Sequence, residues 1–197
     1  SVIIDNKKSE RTVLTYKAAN NNLDKYPKIE TKWLYLSSML GKSLQTQVKL
    51  AKNLVSKKIK IAFNPSNYLI EKKPKGLKTL LKLTTILVLN KEEARMLIKE
   101  GDILEGLRSL GPEIVVVTNK DKEIEAYDGN KKYKLKPHKV KVVERTGAGD
   151  AFAATFVAGI IKNENMETSL KMALKNSESV LRYFGAKNNL LRWKDVK

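Results

Sequence analysis

The chain has 197 residues, 42% of them hydrophobic, and carries a formal net charge of +18 from 39 Lys and Arg against 21 Asp and Glu. That length can bury one substantial core; the lack of cysteine excludes disulfides, thiol nucleophiles and thiolate metal sites, and His138 alone cannot build a zinc site. No run of ~18 apolar residues and no apolar leader is present, so no membrane role is expected and the cytoplasm is the default compartment.

The charge raises a polyanionic partner, but the lysines are scattered in pairs such as Lys57-Lys58 and Lys131-Lys132. No aromatic platform accompanies them, which argues for a solvated surface and against specific nucleic-acid binding.

In chain order, an apolar run up to Asp5 and the alternation of Arg11 to Lys17 read as short strands, and Ala18 to Leu23 breaks the pattern. From Lys32 onward, strand and helix signals alternate. Trp33–Leu36 is a short strand, Ser43 to Lys58 carries a helical stripe, and Lys60–Phe63 is a strand ended by Asn64-Pro65. Leu77 to Leu83 reads as a helix, Thr85–Leu89 as a strand buried on both faces, and Asn90 as the start of a helix to about Glu100. A short helix over Asp102–Leu110 precedes the buried strand Glu113–Thr118, and a hairpin turns at Gly129-Asn130. Val140–Val143 reads as a strand leading into a glycine turn and an almost wholly apolar helix. A last helix spans about Met166 to Phe184.

Repeated strand-helix-strand units imply right-handed crossovers and a largely parallel sheet covered by helices, an α/β fold of three αβα layers. Ligands of such sheets lie at the C-terminal strand ends, so the chemistry is expected near Asn64, Asn90, Thr118 and Glu144.

Gly147-Ala148-Gly149-Asp150 is the most informative stretch. Two glycines let an anion approach backbone N–H groups while the following helix points its positive end at the same place. Asp150 is then either a charged helix cap or a proton acceptor. Phe152 stands where a dinucleotide fingerprint needs its third glycine, and no Gly-Lys-Ser/Thr follows, so neither a Rossmann site nor a P-loop fits. Asn90 and Glu93 support two readings as well, since Asn with Glu three positions on approximates a capping box.

The Gly-Ala-Gly-Asp turn resembles the C-terminal signature Asp-Thr-x-Gly-Ala-Gly-Asp-x-Phe of the ribokinase-like (PfkB) carbohydrate kinases. Glu144 and Arg145 replace its Asp and Thr. The resemblance implies a ribokinase-like fold and ATP-dependent phosphoryl transfer to a hydroxyl of a sugar or nucleoside, with Asp150 as base and Gly147, Ala148 and Gly149 as the anion hole. It places the donor nucleotide at Asn90, Thr118, Lys120 and Asn176. Magnesium falls to Glu93 through water and a monovalent cation to Glu144. Thr118 to Glu123 stands where the family has Thr-x-Gly-x-x-Gly, with both glycines gone; Lys120 would supply charge instead. The alternative is a catalytically weakened nucleotide-binding or interaction module.

Arg11, Tyr16 and Ala18-Ala-Asn20 resemble the end of the family's β-lid, with Ala18 replacing a glycine. The resemblance then implies residues 1–22 as a lid remnant, 23–197 as the α/β core, and a chain matching the C-terminal two-thirds of a member. Self-association, or a requirement for a preceding segment, is the corresponding expectation.

Overall fold

The computed structural model describes residues 2–5 and 11–197. The parts of the lid expectation that fall on residues 1 and 6–10 lie outside the described residues.

Strands β1 (Val2–Asp5) and β2 (Arg11–Leu14) pair antiparallel, Val2 opposite Leu14, as a separate two-stranded sheet. The main sheet has six strands in sequence order: β3 (Trp33–Ser37), β4 (Lys60–Asn64), β5 (Ile86–Asn90), β6 (Ile114–Thr118), β7 (Ile124–Tyr127) and β8 (Lys132–Leu135). β3 to β6 run parallel, and the β7–β8 hairpin extends the sheet antiparallel.

The order of the strands dictates where the helices go. Each parallel step moves the same way across the sheet, and right-handed crossovers then place every connecting helix on one face. Those helices are α1 (Gly41–Val55), α2 (Asn67–Lys72), α3 (Lys75–Leu83), α4 (Lys91–Leu97) and α5 (Ile103–Ser109). The other face is covered by α6 (Ala148–Ile161) and α7 (Met166–Leu181), and a short α8 (Trp193–Val196) ends the chain. Alternate strand residues serve the two layers. Ile61, Phe63, Leu87, Leu89, Val115 and Val117 pack with α1 to α5, and Ala62, Ile86, Val88 and Val116 pack with α6 and α7. Phe152 and Phe156 of α6 are fully buried against the second set, each worth roughly 1.5–3 kcal/mol of apolar burial.

Three sequence expectations need correction. Val140–Val143 forms no ladder: Val142 and Val143 are exposed, and the Val143 N–H donates to the Leu181 carbonyl at 2.8 Å. The alternation of Lys and Val reports extended backbone, but the segment lies along the end of α7 instead of a strand. Pro65 does not end regular structure for long: the short helix α2 begins at Asn67, with Ser66 in the N-cap position and its hydroxyl bonded to Ser38 Oγ at 2.8 Å. Finally, α7 stops at Leu181, short of Phe184, as the chain turns toward Gly185 at φ 99°.

Candidate active site

A cleft of about 720 Å³ opens over the C-terminal ends of β5 and β6. Its floor includes Asn90 and Thr118, which are register partners at the ends of those strands. Asn119, Lys120 and Asp121 form one wall, the 136–142 segment another, and Ala148, Gly149, Leu174, Ser177 and Leu181 bring α6 and α7 to the third. The volume is in the range of small-molecule sites.

The glycine turn is built as its residue types demand. Gly147 caps α6 at φ 84°, and a Cβ there would come within 2.1 Å of the Ala186 carbonyl oxygen, so no side chain is tolerated. Gly149 does not share that positive φ and sits inside the first helical turn. Its use is different: a Cβ there would meet nothing within 4 Å, so the missing side chain keeps the N-terminus of α6 open to the cleft. The first N–H groups of a helix lack intrahelical acceptors and face whatever occupies that space.

Asp150 is exposed in the same first turn and is not part of the cleft lining. Sequence reasoning missed a residue that feels its charge: the Tyr35 phenol is pushed up to about 12, by burial first and then by the Asp150 charge. A strand residue with no motif around it carries no signal for such a placement.

Asn90 and Glu93 form a complete capping box. The Asn90 side chain accepts the Glu93 N–H at 2.8 Å, and Glu93 Oε2 accepts the Asn90 N–H at 2.8 Å. Glu93 is 8% exposed, and burial pushes its carboxyl up against the lowering effect of the Asn90 and Asn67 N–H groups. It lies behind the wall that Asn90, Lys91 and Glu92 present to the cleft. Among the described residues no group of three or more Asp, Glu or His could cage a metal. One carboxylate beside one carboxamide nevertheless suits magnesium, which keeps its waters and takes most of its other ligands from phosphates.

Thr118 donates weakly to the Leu89 carbonyl at 3.4 Å and lines the cleft. Lys120 holds the left-handed conformation at φ 50° that a glycine would take without cost, and its ammonium pairs with Glu92 at 2.8 Å. Lys91 and Arg145 line the cleft too, Lys91 paired with Glu125 at 2.9 Å. Lys91 did not stand out in the sequence, and Arg145 did so only as the replacement for a threonine.

Two expected ligands sit elsewhere. Asn176 is 6% exposed and spends its amide inside the protein, donating to Thr155 Oγ1 at 2.7 Å and accepting the Leu191 N–H at 2.9 Å. It braces α6, α7 and the C-terminal loop, while its neighbours Ser177 and Glu178 reach the cleft. Glu144 accepts the Gly185 N–H at 2.6 Å. His138, 77% exposed in its side chain, stands at the cleft edge with Nδ1 against buried Glu178.

Comparison with known proteins agrees with this architecture. A family model described as pfkB family carbohydrate kinase matches residues 1–193. The chain is 30% identical over 149 residues to a cytidine kinase of Thermococcus kodakarensis, covering 72% of this chain and 53% of that protein. It thus spans about half the length of that curated relative. The nucleoside kinase of Methanocaldococcus jannaschii, described as an archaeal member of the ribokinase family, superposes with a TM-score of 0.81 at 23% identity, over 98% of this chain and 64% of that one. A putative ribokinase II of E. coli, solved with ATP and Mg2+, superposes with a TM-score of 0.73 at 20% identity, over 84% of this chain and 57% of that one. The parallel sheet, its two helical layers and the helix-capped glycine turn define an α/β domain of the ribokinase fold. The chain belongs to the PfkB family of carbohydrate kinases.

Proposed function

We propose that this chain carries the donor-nucleotide cleft and the catalytic turn of an enzyme that transfers a phosphoryl group from ATP to a hydroxyl of a sugar or nucleoside. The observation that carries this reading is the opening of α6, through Gly147-Ala148-Gly149, onto a nucleotide-sized cleft with Asp150 in the same turn. The names of the cytidine kinase and nucleoside kinase relatives support the acceptor class, and the ATP complex of the ribokinase II relative supports the donor.

Phosphoryl transfer asks little covalent chemistry of the protein. The acceptor hydroxyl gives its proton to the Asp150 carboxylate as its oxygen bonds to the γ-phosphorus, and the bond from that phosphorus to the departing ADP oxygen breaks. Negative charge on the transferring group meets the N–H groups and positive end of α6, while Lys91, Lys120 and Arg145 draw the triphosphate into the cleft. Asn90 and, through water, Glu93 would hold magnesium, which neutralises phosphate charge when bound.

A nucleotide-binding module without turnover is the second reading, favoured by the Lys120–Glu92 pair, which engages a cleft cation with a protein carboxylate. Incubating the full reading frame with γ-labelled ATP and a panel of sugars and nucleosides distinguishes the two. Labelled product supports the kinase; nucleotide binding with no product from any acceptor supports the module.

A further inference from the structure

Scattered along the whole sequence, the lysines are nevertheless gathered by the fold on and around the helices of one layer. Between Gly41 and Leu83, the stretch that holds α1, β4, α2 and α3, stand eleven lysines and one acidic residue, Glu71, a balance of +10 within a chain total of +18. All eleven are exposed. None of them forms an ion pair among the described residues, whose ion pairs all involve other parts of the chain. Lys75, Lys78 and Lys82 follow the helical spacing, on the side of α3 away from buried Leu77, Leu80 and Leu81. Lys42 and Lys75 stand in the first turns of α1 and α3, at positive helix ends with no acidic residue beside them, where a cation is disfavoured. Stability of the fold does not account for that placement.

What this face lacks narrows its partner. No large apolar side chain is exposed on α1, α2 or α3, so the second anchor that a basic surface needs for a lasting hold on a membrane is missing. Tyr68, the one aromatic residue of these helices, has Lys17 Nζ 4.2 Å over its ring and donates its hydroxyl to the Ser38 carbonyl, which leaves no platform for unstacked bases. A duplex, with its phosphates outward, fits better. α1 and α3 lie side by side against the sheet, so close that a Cβ on Gly76 would come within 3.1 Å of Leu44 and Val48, and neither projects to enter the deep major groove of DNA. An A-form RNA helix offers a wide, shallow minor groove beside its phosphate rows, which suits a flat lysine-bearing face. We propose that the α1–α3 face binds double-stranded RNA through its phosphates, without reading sequence. α1 is 15 residues long, about 22 Å, and over that length a nucleic-acid duplex carries on the order of ten phosphates, a charge matching that of the lysines. No residue of this face lines the cleft, so the proposal stands apart from the kinase reading.

The test is fluorescence anisotropy of the full reading frame with a duplex RNA of roughly 20 base pairs, with the same sequence as duplex DNA and as single-stranded RNA, beside sedimentation with phosphatidylserine vesicles. Duplex RNA should bind whatever its sequence, several-fold more tightly than the other two nucleic acids, and should lose affinity steeply between about 50 and 200 mM salt. Lys75→Gln, Lys78→Gln and Lys82→Gln together keep a good helix former at each position, and should lower the slope of log affinity against log salt by about two to three units, one for each lost phosphate contact. Lys162→Gln, Lys171→Gln and Lys175→Gln remove the same charge from exposed positions of the opposite helical layer and should leave the slope unchanged. Circular dichroism of both variants checks that each keeps its helices. Failure of the native protein to bind duplex RNA, or an equal loss of slope in the two triple variants, overturns the proposal. So does duplex DNA bound as tightly as RNA, or capture by vesicles at a salt concentration that releases the RNA.

Discussion

The Glu144 carboxylate accepts the Gly185 N–H through Oε2 at 2.6 Å, joining two loops that lie 41 residues apart in sequence. The joined loops are those that meet at the anion turn, where Gly147 packs against Ala186. The expectation drawn from this direct link is that the loops hold together without a cation between them. Glu144→Ala should therefore cost about 1–3 kcal/mol in urea denaturation, the penalty of stranding a half-buried donor. ATP affinity of the native chain should be the same in potassium chloride as in tetramethylammonium chloride at equal ionic strength. A potassium-dependent affinity would instead support Glu144 as a cation ligand.

Glu93 gives a pH signature. Burial raises its carboxyl above the ordinary 4.5, so its contribution to stability is fully present below that value and is lost as pH rises through the raised folded value. Glu93→Gln keeps a side-chain acceptor for the Asn90 N–H and removes the titration. The variant should gain on the native protein as pH climbs from about 4.5 toward neutrality. Parallel stability profiles would show that burial does not load this carboxyl. In the active enzyme the same variant should need more magnesium for half-maximal rate; an unchanged requirement leaves Glu93 as a cap and nothing else.

Much of this fold was legible in the sequence. The apolar runs ending in Asn64, Asn90 and Thr118 are parallel strands because a strand covered on both faces has no polar face to alternate with. The capping box and the glycine turn were local enough to read from neighbouring residues. What failed was whatever depended on distant packing. Val140–Val143 has a strand's period, but pairing requires a partner, and α7 provides the neighbour instead. Asn176 lies on the helix as expected, yet its inward orientation is set by Leu191, 15 residues on. The contact between His138 and Glu178 spans 40 residues and leaves no local trace.

The apolar side chains of the small sheet give a prediction about association. Val2, Ile4 and Leu14 are 62%, 55% and 54% exposed, with Val2 and Leu14 cross-strand partners, and β3 ends the main sheet with an open edge. Exposed apolar strands and open edges favour pairing with other chains. Light scattering behind size exclusion should find this chain larger than a monomer, and Ile4→Lys with Leu14→Lys should shift it toward the monomer. A monodisperse native monomer would contradict that expectation.

The central claim is that Asp150 takes the acceptor's proton beside the α6 turn. Its most direct test compares turnover and ATP affinity of native protein and Asp150→Asn, each expressed as the full reading frame and assayed at saturating acceptor. The account predicts a fall in kcat of roughly 10²–10⁴-fold, the usual worth of a general base, with ATP affinity held within a few fold. An Asp150→Asn enzyme with near-native kcat would contradict it and leave Asp150 as a helix cap.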